Sequence, residues 1–413
     1  MINIRLSRSQ QKLLFLLGVT LIYLSVITYL DFLTGPAWED EGNFWDSSLT
    51  FSDSLIPTLT DLRTYDSLNT PLPFILFGWL EYFLGGGMAA GRWFNLFLSL
   101  GIVAIIGWPT KQRGTRAILC LIGLFMCPYF LWLSGRLYTE MVACTCMLLG
   151  IIAYVNNRHL LSGLAFILAI AARQYMLAFP VAIAIFEFLR TAQDYWQTRE
   201  INWHRQIRWL APSVAALTIL GWFAFFDGLA PPIPTIKSAP EVQKSLWAFE
   251  TGAAINFLAF VGGHLVIPEL ILFPPQRPIQ MLKKEWKKWL LIAVLLLLFC
   301  LLSLPRVNGY GAISKAIRLF PGYGLQIFLY YGLALLTCIR FAKPDLMFWL
   351  VIVHAAMMTK AWPWDRYVLP LAITFWYFKS MFPGLIIPSL SNKSHGDSSE
   401  LNTPSDNQQM SQV

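Results

Sequence analysis

Long apolar runs separated by short polar connections set the rhythm of this chain. Runs long enough to cross a bilayer as helices occupy residues 13–33, 91–107, 116–133, 138–155, 209–227, 251–273, 288–304 and 321–340, with shorter ones at 345–359 and 366–382. The stretch 160–190 is too long for one crossing and is interrupted by Arg173-Gln174, which divides it into two short helices. The run 71–84 resists assignment by length. It contains Glu81 and has 14 residues, whereas a crossing needs about 20.

Charge decides between the two placements of 71–84. If it lies along the outer interface, three basic clusters fall on the N-terminal, cytoplasmic side: Lys111/Arg113/Arg116, Arg190/Arg199/Arg205/Arg208 and Arg277/Lys283/Lys284/Lys287/Lys288. If it crosses, all three move outside, against the positive-inside bias. The interfacial placement predicts an all-α polytopic membrane protein with about 12 transmembrane helices, both termini inside and a long first outer-face loop over 34–90. That loop carries Glu39, Asp40, Glu41, Asp46, Asp53, Asp61 and Asp66. Glu140, Arg173, Lys237, Arg306, Lys315, Arg318, Asp365 and Arg366 come out on or near the same face.

Composition excludes an ordinary soluble domain. Of the 413 residues 56% are hydrophobic and only 13% charged, against roughly 25% charged in soluble chains; mean hydropathy is +0.55. The formal charge of +8 marks cytoplasmic loops and not a nucleic-acid partner. The 6 cysteines lie in or beside apolar runs, and none forms a CxxC pair or a zinc-like spacing with histidine. The first run follows Arg5, Arg8 and Lys12, exceeds a signal-peptide core and lacks a small-residue cleavage site, so it is expected to stay as a helix. Residues 1–387 read as one polytopic domain, and 388–413, rich in Ser, Asn, Gln and Asp, as a disordered cytoplasmic tail. There is no internal repeat, Walker A loop, GxGxxG or HExxH.

Five polar constellations interrupt the apolar pattern. Trp38-Glu39-Asp40-Glu41-Gly42-Asn43-Phe44-Trp45-Asp46 places acids and aromatics at the mouth of the first helix. Carboxylates so close to lipid are costly, which makes a functional site the default reading. A carboxylate there can accept the proton of an attacking hydroxyl, with its neighbour raising its pKa; plain solvation is the alternative. Tyr65-Asp66-Ser67-Leu68-Asn69-Thr70-Pro71-Leu72-Pro73 leads into the interfacial segment and then Gly91-Arg92-Trp93-Phe94-Asn95. Thr139-Glu140 opens a span, where helix capping competes with catalysis. Arg173 breaks an apolar stretch, fitting either a forked clamp on phosphate or a snorkelling side chain. Trp362-Pro363-Trp364-Asp365-Arg366-Tyr367 begins the last span and fits either a lipid-phosphate contact or an aromatic belt. Lys237 lies in a proline-stiffened outer loop, and His264, alone in an apolar run, reads as a packing residue.

Asp40-Glu41, Thr70-Pro71-Leu72-Pro73, Glu140 and Arg366-Tyr367, in that order, resemble the motifs of the GT-C superfamily of integral-membrane glycosyltransferases. Arg92-Trp93-Phe94-Asn95 and Arg173-Gln174 look similar to segments of the dolichyl-phosphate-glucose-dependent α-1,2-glucosyltransferases, the nearest family within it. The likeness covers roughly residues 12–180. Asn43-Phe44, Pro71-Leu72-Pro73 and Tyr175-Met176 depart from that family's pattern, which leaves sugar and linkage open.

The resemblance implies an inverting hexosyltransferase using a polyprenyl-phosphate-linked sugar, with an acceptor that is a glycan, lipid or protein. Asp40 would be the general base and Glu41 would orient the acceptor or tune Asp40. Arg173 and Arg366, supplemented by Arg92 or Lys237, would stabilise the leaving phosphate, and Glu140, Asp66 and Asp365 would support the acceptor side. No cofactor and no metal are implied. A bacterial inner membrane, with the site facing the periplasm, suits the compact outer loops. A flippase for a lipid-linked sugar and a non-catalytic membrane subunit are the alternatives, since both would present similar charges.

Overall fold

A computed structural model describes residues 7–29, 31, 35–200, 203–231, 239–274, 278–307 and 309–382. The expected tail and Lys237 lie outside the described residues. Among these the chain is all-helical, apart from an isolated bridge between Tyr310 and Trp364. Six helices are long and apolar enough to cross a membrane, or up to seven if one sharply bent pair counts as a single span. The chain is a multi-pass integral membrane protein.

The first helix, α1 (Arg8–Tyr29), leaves one side bare of protein, with Leu21 64% exposed. Such apolar exposure suits lipid and not water, because a helix satisfies its own backbone and needs only apolar side chains outside. The segment after it folds into three short helices, α2 (Glu41–Leu49), α3 (Leu59–Thr64) and α4 (Leu72–Leu84). Thr58 and Asp61 form a capping box on α3. Pro73 in the first turn starts α4, and Gly85, at φ 55°, ends it. Its 13 residues span about 20 Å, short of the roughly 30 Å hydrocarbon layer.

Helix α5 (Gly87–Gly107) then runs through the bundle. The run expected as one span at 116–133 is instead two helices, α6 (Gly114–Phe125) and α7 (Pro128–Ser134), bent by 81°. Pro128 has no N–H to continue α6, which accounts for the break. Helices α8 (Glu140–Val155) and α9 (His159–Ala172) pack as a close pair, with the ring of Phe166 against Gly150. The 160–190 stretch divides at Arg173, which is extended at φ −154° and ψ 122°. A 3₁₀ turn (Gln174–Leu177) follows and leads into α10 (Ala178–Thr198).

The second half comprises α11 (Trp203–Phe226), the single turn α12 (Glu241–Lys244), and α13 (Thr251–Val261), which continues through a π-turn into α14 (Ile267–Leu272). Then come α15 (Pro278–Leu302), α16 (Ala312–Arg318), α17 (Tyr323–Arg340), α18 (Leu346–Met358) and, after a 3₁₀ turn at Asp365–Val368, α19 (Leu369–Met381). The expected 12 crossings would need α8, α9, α15, α18 and α19 to cross in addition to the seven found by length and apolarity. Helix α19 is buried nearly all round, as its unbroken apolar sequence requires. It packs against α5, α6 and α8 and fits Trp376 against Gly123.

Close backbone approach explains one glycine and not another. A Cβ on Gly262 would lie 2.2 Å from the Leu333 carbonyl oxygen, whereas one on Gly101 would meet nothing within 4 Å. Gly262→Ala should therefore separate α13 from α17 and cost about 1–3 kcal/mol. Gly101→Ala should be neutral or stabilise by up to about 1 kcal/mol. Thermal unfolding of the two purified variants, compared with the parent, checks the contrast.

Candidate active site

Adjacent residues near a helix start are rotated by about 100°, so Asp40 and Glu41 cannot face the same way. Glu41 turns inward and is fully buried, while the Asp40 side chain stays 39% exposed. Glu39 directs this divergence from a left-handed conformation at φ 48°, uncommon for a residue with a Cβ. The Glu41 carboxylate accepts from Arg92 Nε and Nη2 at 2.9 Å each, Arg136 Nη1 at 3.2 Å, Leu137 N at 2.7 Å and Trp38 N at 3.0 Å. Burial pushes the Glu41 carboxyl up. The Arg92 guanidinium and the Leu137 and Trp38 amides outweigh that effect and hold it below the usual carboxylate range.

Arg92 is committed as fully as Glu41. Its remaining contacts are the carbonyls of Gly35 at 2.8 Å and Pro36 at 3.2 Å. It is buried, and it does not line the cleft described below. This corrects its expected place on the donor phosphate, since its donors are turned toward Glu41 and the 35–36 backbone. Glu41 is corrected likewise, because five donors already occupy its two oxygens and leave it to position its neighbours. Arg136, whose guanidinium lies over the rings of Trp38 and Trp132, joins this network from the short polar connection Gly135–Glu140. Asn95 supports it from α5 by donating to the carbonyls of Arg136 and Tyr138 at 2.7 and 2.8 Å.

The structure brings together Asp40, Glu140, Arg173 and Arg366. Glu140 begins α8 and is fully buried. Arg173, at the break after α9, donates to Glu140 and to Asn69. Arg366, in the 3₁₀ turn before α19, lies 3.5 Å from Glu140 through Nε and donates to Asp40 through Nη2 at 3.3 Å. Its guanidinium covers the face of Trp364 at 3.5 Å from the ring centroid. Each cation sits where a helix is interrupted, so the break that exposes backbone also delivers the charge. Nη1 of Arg366 and Nε of Arg173 are buried without a hydrogen-bond partner. Unmet charged donors in such a place are costly, and an incoming anion would satisfy them.

Two hollows meet at this cluster. A cleft of about 460 Å³ is lined by Asp40, Asn43, Asp66, Asn69, Arg173, Tyr310, Trp362, Trp364, Arg366 and Tyr367, among others. Beside it runs a groove of about 370 Å³, walled mainly by apolar side chains of the 3₁₀ turn before α10, of α11 and of α18, including Leu177, Ile219, Phe223, Met357 and Met358. Leu68, Asn69, Arg173, Gln243 and Tyr367 line both. The polar cleft and the apolar groove are therefore joined at Arg173.

Asp66 lies in the cleft wall. Asp365 does not. It is fully buried and turned away, accepting from Ile313 N at 2.9 Å and sitting 3.1 Å from His264 Nε2. Its expected acceptor role is corrected to that of a brace for the 309–314 segment, whose Gly311 passes against its carboxylate. Steric alternation along the 3₁₀ turn puts Asp365 behind Arg366. His264 is consequently more than a packing residue, and its π-turn is what presents it. Asn69 was legible only as part of a loop; a polar side chain between two proline-led turns was its sole signal.

No protein-family model and no curated protein matches the sequence. Among solved structures the chain is similar to ArnT from Cupriavidus metallidurans, crystallised bound to undecaprenyl phosphate, with 16% identity and a TM-score of 0.41. That likeness covers 80% of this chain and 60% of the ArnT chain. None of these comparisons points to the dolichyl-phosphate-glucose-dependent family in particular.

Because the folded Glu41 carboxyl titrates below its ordinary value of 4.5, its contribution to stability is complete above that pH and disappears as pH falls through the depressed value. Glu41→Gln should lower stability by about 3–5 kcal/mol at pH 7, where Arg92 and Arg136 lose their counter-charge. The difference between variant and parent should shrink below pH 4.5. Thermal unfolding of both proteins in detergent at pH 7 and pH 4 measures it.

Proposed function

We propose that the protein is a glycosyltransferase that moves a sugar from a polyprenyl-phosphate donor to an acceptor hydroxyl at the outer face of the membrane. The observation that carries this reading is the junction of the apolar groove with the charged cleft at Arg173. A lipid tail needs an unbroken apolar channel, and the phosphate at its head needs cationic donors at the channel's end. Arg173 and Arg366 supply those donors, and Asp40, the exposed carboxylate, stands on the other side of Arg366. The ordered motifs of the sequence support the same reading.

In the reaction, the acceptor oxygen attacks the anomeric carbon while its proton passes to Asp40. The bond from that carbon to the phosphate oxygen breaks, and its electron pair leaves with the polyprenyl phosphate. Attack opposite the leaving group inverts the anomeric configuration. Arg173 and Arg366 stabilise the charge that grows on the phosphate, an effect strengthened by their burial. Glu140 holds both guanidiniums in place, and Glu41 anchors the helix that presents Asp40.

The outer-face placement rests on charge asymmetry. Arg173 lies at the cleft and leads through one 3₁₀ turn into α10, whereas Arg190 and the C-cap Arg199 lie toward that helix's far end. Basic residues favour the cytoplasmic side, which supports a cleft on the outside, facing the periplasm if the membrane is a bacterial inner membrane.

Purified protein incubated with a panel of polyprenyl-phosphate hexoses and pentoses should release or transfer sugar from one of them. Asp40→Asn should keep the parental unfolding temperature and donor affinity while losing about 10²–10⁴ in rate. Full turnover by Asp40→Asn would remove the base. Movement of donor across liposomes without any sugar release would replace the transferase with a flippase.

A further inference from the structure

The cleft carries a row of alternating aromatic rings and cations of which the transfer chemistry uses only Arg366. Tyr310 lies 6.2 Å from Trp362 and 5.5 Å from Trp364, ring centroid to ring centroid. Arg306 covers the face of Trp362 at 4.2 Å and is held by Glu250, while Arg366 covers Trp364. Each indole thus has a face occupied by a guanidinium. Tyr310, 55% exposed, keeps an open ring between them.

The backbone fixes this row firmly. Tyr310 and Trp364 pair in the one isolated bridge among the described residues, and Tyr310 N donates to the Pro363 carbonyl at 3.1 Å. The indole Nε1 of Trp362 is buried without a hydrogen-bond partner at the edge of the same wall. Asn43, Asp66 and Gln243 line the same cleft. A flat aromatic face with an unmet N–H beside it, in a cleft that also offers amides and a carboxylate, matches the two-sided chemistry of a sugar ring. Such a ring offers C–H bonds on one face and hydroxyls around its rim.

We infer that Tyr310, buttressed by Trp362 and Trp364, is the platform on which a carbohydrate acceptor stacks, so that the acceptor is a glycan and not a protein hydroxyl. This rests on the transferase reading above. Position assigns the platform to the acceptor and not to the donor sugar. Tyr310, Trp362, Trp364 and Asp40 line the cleft but not the groove, so the ring held there lies on the side of the general base, beyond the phosphate from the lipid. An aromatic face also tolerates a variety of sugars, leaving the choice among hydroxyls to the polar groups of the cleft.

The test uses the full chain in nanodiscs, with neutral trisaccharides of glucose, mannose and galactose as probes and saturation-transfer NMR as readout. Undecaprenyl phosphate binding is measured in parallel. At least one trisaccharide should bind, Tyr310→Ala should weaken it by about tenfold, and Tyr310→Phe should restore it, with undecaprenyl phosphate binding unchanged in both variants. Undecaprenyl phosphate binding without any trisaccharide binding would overturn the platform and leave the transferase reading intact. Equal trisaccharide affinity in Tyr310→Ala and the parent would also overturn it. Displacement of the trisaccharide by a polyprenyl-phosphate sugar, but not by undecaprenyl phosphate, would reassign the platform to the donor. Failure to bind either probe would overturn both the platform and the transferase.

Discussion

The buried carboxylate of Glu41 is the point from which the rest of the site is referenced. A lone carboxylate at that depth would cost several kcal/mol in lost hydration. It is tolerated because two guanidiniums and two backbone amides converge on it. Those donors come from the segment leaving α1, from α5 and from the turn before α8. One anion therefore ties together three stretches distant in sequence. Replacing this hub by apolar residues is compatible with compactness in a generic bundle, but it would leave nothing to fix the direction of Asp40.

A second constraint follows from the bilayer. Irregular backbone and charge are tolerated at membrane depth only where protein or a watery cavity receives them. Here both demands are met together. Arg173 ends α9 in an extended conformation, and Arg366 lies in the turn before α19. Each break supplies a cation, and Glu140 at the head of α8 answers both. The short lengths of α8, α9 and α18 are consistent with a bundle that thins around a polar centre and does not span it with uniform helices.

Much of the architecture was legible because apolar period and length are strong signals. The division of 160–190 at Arg173 and the brevity of 71–84 were both readable from polar interruptions. The bend at Pro128 was not, since apolarity continues unbroken through it and only the missing N–H of one residue marks the change. In the site, residue types announced chemistry but not direction. Asp40 and Glu41 read as one acidic pair, yet rotation about the helix gave them opposite surroundings. Asp365 and Arg366 were divided in the same way. Arg92 read as a phosphate ligand because its partner, Glu41, lies 51 positions away, a distance over which sequence carries no record of contact. Asn69 and His264 acquired roles only through equally remote partners.

Helix α19 is the last described element in the chain and is also among the most enclosed, seated against α5, α6 and α8. The contact between Asp40 and Arg366 joins residues 326 positions apart. During synthesis, the helices that will surround α19 must therefore wait with an open seam facing lipid or a chaperoning partner. The cleft acquires its second cation only when α19 and the turn before it enter and close that seam. A chain released before residue 366 lacks the guanidinium that meets both Asp40 and Glu140, so its charge cluster stays incomplete.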